Sequence, residues 1–157
     1  MISSTHLHAM VIHFPIALLF VAFLSEVIGL LFKKTFFTTA AFYLLILGTF
    51  GTIAAYFSGG AAGEGMEEGT LGKAIGMHEE AALISLWLAV VTSLVYSAIV
   101  VFKYEQKWAK FSTVVVMATL IGAVSRTAYL GGQLVYKHGA GVELALPDFN
   151  ETDNTPN

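Results

Sequence analysis

Four long apolar runs dominate the chain and leave few folds open to it. They cover residues 10–32, 36–58, 81–102 and 111–136. The second and third contain no charged residue, the first only Glu26 and the fourth only Arg126. A helix needs about 20 mostly apolar residues to cross a bilayer, and each run meets that length. Inside lipid, backbone N–H and C=O groups must find partners within their own segment, so the runs are expected as helices. A water-soluble core has no room for four such runs in 157 residues. Charged residues are 12% of the chain, about half the roughly 25% usual in soluble domains, and mean hydropathy is +0.73. That balance excludes a soluble enzyme domain and a disordered chain. A net charge of −3, with no basic run longer than Lys33-Lys34, excludes a nucleic-acid binder. Cysteine is absent, which removes disulfides, thiolate metal sites, covalent c-type heme and a cysteine nucleophile.

The class left is an all-α polytopic membrane protein. Residues 1–142 are expected as a single transmembrane domain with helices over about 10–32, 36–58, 80–102 and 111–136. Residues 143–157 form a polar tail expected to be mobile. The first run is not expected to be a cleaved signal peptide: residues 1–9 carry no Lys or Arg, and the run exceeds an apolar core of about 7–15 residues. Short links at 33–35 and 103–110 make an up-down-up-down four-helix bundle the simplest packing. Residues 59–80 are read as a longer, glycine-rich acidic loop, with Gly59-Gly60 ending the second helix. Gly48, Gly51, Ala54, Ala55, Gly122 and Ala123 are small enough for close helix approach. Five of the seven lysines (Lys33, Lys34, Lys103, Lys107, Lys110) lie in the two short links. Positive charge favours the cytoplasmic side, so both termini and the acidic stretch are expected to face outward.

That topology gathers every histidine at the outer end. His6 and His8 precede the first helix, His13 opens it, His78 begins the third and His138 follows the fourth. Neutral imidazole is the commonest metal ligand. Two histidines on facing helices can hold a heme iron axially, with the apolar bundle around the macrocycle. Three or four can instead bind zinc or copper, with Glu79 or Glu80 extending the set. His13, His78 and His138 rank above His8, and His8 above His6. The rival reading of each histidine is an interfacial side chain with no ligand.

Arg126 sits about 9 Å below the outer end of its helix, at 1.5 Å per residue. It is either a counter-ion for a heme propionate or acidic ligand, or a residue that pairs structurally or snorkels to headgroups. Glu26 lies about 9 Å from the inner end of its own helix. It is expected to snorkel toward Lys33 or Lys34, with a proton relay as its rival role. Gly131-Gly132 is read as a loosening that lets residues 133–138 turn at the interface; close approach of a flat cofactor is the alternative.

Two stretches carry a family resemblance. Leu7-His8-Ala9-Met10-Val11-Ile12-His13-Phe14-Pro15-Ile16-Ala17-Leu18 resembles the opening motif of the DUF2231 family of bacterial membrane proteins, roughly L-H-P-x-x-V-H-F-P-I-A-L. Leu130-Gly131-Gly132-Gln133-Leu134-Val135-Tyr136-Lys137-His138-Gly139-Ala140-Gly141-Val142 is similar to its closing motif, L-G-G-x-L-V-Y-x-H-G-x-G-V. His78 matches the histidine that opens the family's third helix, and Ala9 departs from its usual proline. The resemblance implies that His8, His13, His78 and His138 are the family's positions. Its members' association with cytochrome-like domains implies redox work, and it assigns no cofactor.

The leading expectation is a b-type cytochrome-like electron-transfer protein with one or two hemes near the outer face. His8, His13, His78 and His138 are the candidate ligands and Arg126 the charge partner. It is read as a carrier or complex subunit rather than a stand-alone enzyme. The alternatives are a zinc or copper site or carrier on the same histidines, and a cofactor-free scaffold of a respiratory complex. The expected setting is a bacterial inner membrane with the histidine-rich side toward the periplasm. Partners are then the lipid bilayer, other redox or respiratory proteins, and further copies or subunits in an oligomer.

Overall fold

Apolar composition fixes the element type and a few punctuating residues fix the ends. In the computed structural model, the described residues are 3–66, 68–104 and 106–142. They form α1 (Ser4–Val11), α2 (His13–Leu31), α3 (Thr35–Gly63), α4 (Gly69–Val101) and α5 (Lys107–His138). Ser3 caps α1, its side chain accepting from the His6 N–H at 3.3 Å. The separation of α1 from α2 at Ile12 follows from Pro15. Proline has no N–H to offer Val11, and its ring crowds the carbonyl four residues back. Together α1 and α2 make one of four segments long and apolar enough to cross a membrane.

The spans run antiparallel and close into a ring: α2 packs on α3, α3 on α4, α4 on α5 and α5 on α2, with α1 laid against α3. The core is built from Leu19 and Ala22 of α2, Leu45 of α3, Ala89 and Tyr96 of α4, and Met117, Leu120 and Val124 of α5. Of the small residues read as sites of close approach, Gly48 meets Leu19 and Gly51 meets Pro15 at the α2–α3 contact, whereas Gly122 has open space beside it. Polar side chains tie helices together inside the bundle. Thr49 meets Ser93 at 2.7 Å and Ser85 meets Thr127 at 2.9 Å. Among the described residues, no buried side-chain N or O lacks a hydrogen-bond partner. Large apolar side chains such as Phe57 and Trp87 point outward, which is the lipid-facing surface a spanning bundle requires.

The ends of the helices correct the sequence reading. The stretch 59–80 is not a loop. Gly59 and Gly60 lie within α3, and α4 begins at Gly69. The turn is made by Gly65, at φ 82°, and Gly69, at φ 68°, a region glycine enters without a Cβ clash. α5 runs unbroken through Gly131-Gly132 to His138 and ends at left-handed Gly139. The first span starts at Ser4 rather than Met10, so His6 and His8 are helical. The 143–157 tail lies outside the described residues.

Glu26 is also corrected. It does not reach for Lys33 or Lys34; it is 2% exposed, with its carboxylate against the Tyr96 hydroxyl. Both short turns instead carry a lysine in left-handed conformation, Lys33 at φ 52° and Lys103 at φ 51°. Lys34 N–H then bonds Gly29 C=O and Tyr104 N–H bonds Ile99 C=O, each at 2.9 Å, closing both helices in the Schellman manner.

Candidate functional site: histidines at one end of the bundle

α3, α4 and α5 have 29, 33 and 32 residues, or about 43–50 Å at 1.5 Å per residue. The hydrocarbon layer is about 30 Å thick. The surplus turns lie largely beyond the apolar runs, at the end where α3 turns into α4. α1 packs here against α3, and Gly141, just past α5, packs against Thr5 of α1. Both ends of the described chain therefore meet at this end of the bundle.

His8 and His78 both lie at this end of the bundle, and each ring is half-buried and tied to a different neighbour. His78 Nδ1 lies 3.1 Å from the Thr127 carbonyl of α5. A carbonyl only accepts, so Nδ1 carries the hydrogen and Nε2 keeps its lone pair. His8 Nδ1 lies 2.9 Å from Ser58 Oγ. Ser58 spends its one hydroxyl hydrogen on the Ala55 carbonyl at 3.0 Å, so its oxygen accepts from His8. On that assignment His8 holds the same tautomer, with the hydrogen on Nδ1. This is the arrangement seen at ligand histidines, where the second ring nitrogen donates to a fixed acceptor and orients the ring.

Two glycines make the space. A Cβ on Gly59 would sit 3.0 Å from His8 Cε1, and one on Gly131 would sit 3.1 Å from His78 Cε1. Either contact is tighter than side chains usually tolerate. The doublets read from sequence as helix breakers are thus places where α3 and α5 receive a histidine ring. Sequence reasoning missed Ser58 and Thr127 altogether, because they lie 50 and 49 residues from their histidines and carry no local signal.

The remaining candidates stand elsewhere. His13 is exposed, with Nδ1 donating to the Ala9 carbonyl at 2.6 Å on its own helical edge. His138 is exposed in the last turn of α5, where a basic group complements the helix dipole. His6 is exposed at the start of α1. Arg126 lies on the exposed face of α5, one residue before Thr127. Glu79 lines a cavity of about 300 Å³ between α3 and α4, with Gly60, Gly63, Glu64 and Gly76, and both Glu79 and Glu80 are exposed. Among the described residues, no three His, Asp or Glu side chains converge on one metal position. His8 and His78 are thus the two histidines whose rings are half-buried and held by a neighbouring helix, while His13 and His138, ranked above His8 from sequence, are exposed.

Comparison with known proteins gives a family and nothing finer. The family model described as "Predicted membrane protein (DUF2231)" matches residues 4–144. No curated protein and no solved structure matches the chain.

Proposed function

We propose, for a chain that belongs to the DUF2231 family of predicted membrane proteins, a role as a multi-pass electron-transfer protein of the b-type cytochrome kind. The observation that carries it is that His8 and His78, at the same end of the bundle, are both half-buried with Nδ1 held by a neighbouring helix. The donor set suits heme. Two neutral imidazoles, those of His8 and His78, could hold a heme iron, whereas zinc takes three or four protein ligands. The apolar helices around the rings suit a largely apolar group. A bound heme would supply reversible one-electron storage.

The chain's own residues would do the rest. Ser58 and the Thr127 carbonyl orient the rings and set their tautomers. Gly59 and Gly131 keep α3 and α5 from crowding them. Arg126, next to Thr127 on α5, is the cation proposed to offset propionate charge. The lysine bias of the two short turns supports an outer-facing histidine end in a bacterial inner membrane. Electron donors and acceptors would then be other redox or respiratory proteins at that face, with hetero- or homo-oligomers as their assemblies.

A pyridine hemochrome assay on protein purified from heme-replete cells tests this reading, with zinc, copper and iron analysis of the same sample. One heme per chain, lost in both His8→Ala and His78→Ala, is the expected result. Stoichiometric zinc or copper without heme would replace the reading with a metal site. Neither group in folded protein would leave a scaffold subunit.

A further inference from the structure

The other buried polar centre lies toward the opposite end of the bundle and is independent of the histidines. Glu26 of α2 and Tyr96 of α4 are 2% and 6% exposed. The Tyr96 hydroxyl lies 2.5 Å from Glu26 Oε2 and 3.1 Å from the Thr38 carbonyl of α3. Gly29 creates this three-helix junction. A Cβ there would sit 2.6 Å from Thr38 Cγ2 and 2.8 Å from Thr38 N, so only glycine lets α3 approach so closely.

A phenol has one hydrogen and here faces two acceptors. With Glu26 ionised, Tyr96 donates to the carboxylate, and the Thr38 carbonyl retains its lone pairs. If one proton is added to Glu26 Oε2, the carboxylic acid donates to Tyr96 Oη. The phenol hydrogen turns to the Thr38 carbonyl, already within 3.1 Å. No heavy-atom bond breaks and no donor is left without an acceptor. Buried polar groups are costly mainly when a change of state strands one of them, and this arrangement strands none in either state.

We propose that Glu26, Tyr96 and the Thr38 carbonyl form a proton-binding site inside the bundle, in which both hydrogen bonds reverse or redirect as the proton arrives. The proton comes from water at the short-turn end, where α5 begins at Lys107, and returns there on release.

Infrared pH-difference spectroscopy of the full chain in lipid vesicles tests the site. Wild type is expected to show a carboxylic-acid C=O band and a tyrosine C–O–H change titrating together with one midpoint. Glu26→Gln, which keeps an oxygen for Tyr96 to donate to, abolishes both signals. Tyr96→Phe abolishes the tyrosine signal alone. Ring-labelled tyrosine in wild type makes the same test should a variant not fold. A carboxyl band that titrates without a tyrosine change, a band that survives Glu26→Gln, or no titrating carboxyl band would overturn the proposal.

Discussion

His78 is held by one hydrogen bond and by its close packing on Gly131, and each can be tested separately. A methyl group at Gly131 would lie 3.1 Å from the ring. Gly131→Ala should therefore lower cofactor occupancy about tenfold, the low end of the effect of losing an orienting contact. Its helix should not suffer, since alanine favours a helix interior by about 0.5–1 kcal/mol over glycine. Heme titration and thermal unfolding of the same preparation separate the two effects. Ser58→Ala removes the acceptor for His8 Nδ1 and should weaken binding about 10–100-fold, read by the same titration. At this scale the sequence is legible for residue types and opaque for pairing. The five histidines stand out in an apolar chain, yet which of them are held by a neighbouring helix depends on Ser58 and Thr127, contacts set by helix packing. Glu26 was misassigned for the same reason. Its partner Tyr96 lies 70 residues away, while two lysines lie within eight.

Among the elements, the α2–α3 hairpin is the most tightly specified, because Gly29, Gly48 and Gly51 all admit close contacts between the two helices. At Gly29 the obstacle to a side chain is Thr38 backbone as well as side chain, and backbone cannot step aside cheaply. Gly29→Ala should destabilise the protein by about 1–3 kcal/mol, typical of overpacking, measured as a shift in denaturant unfolding in detergent. An unchanged midpoint would mean that the junction is looser than these distances require. Element identity was legible because 20-residue apolar runs have one solution in lipid. Element ends were not. Gly59-Gly60 carries the composition of a helix stop, but Ala61 and Ala62 follow and the helix continues to Gly63. The conformation that ends it falls on Gly65, the one glycine of that stretch with φ above zero before Gly69.

In the whole molecule, four spans bring both described chain ends to the histidine end, and five lysines to the two short turns opposite. A C-terminal alkaline phosphatase fusion should be active, and a fusion within the turn at Lys33-Lys34 inactive. The reverse pattern would put the histidines on the cytoplasmic face. The central claim is that His8 and His78 hold a redox cofactor between them. It is tested most directly by reduced-minus-oxidised absorption spectra of the purified protein beside its single histidine variants. Sharp α and Soret difference bands are expected in wild type, retained in His13→Ala and His138→Ala and lost in His8→Ala and His78→Ala. A flat difference spectrum from folded wild-type protein, or bands indifferent to His8 and His78, would contradict it.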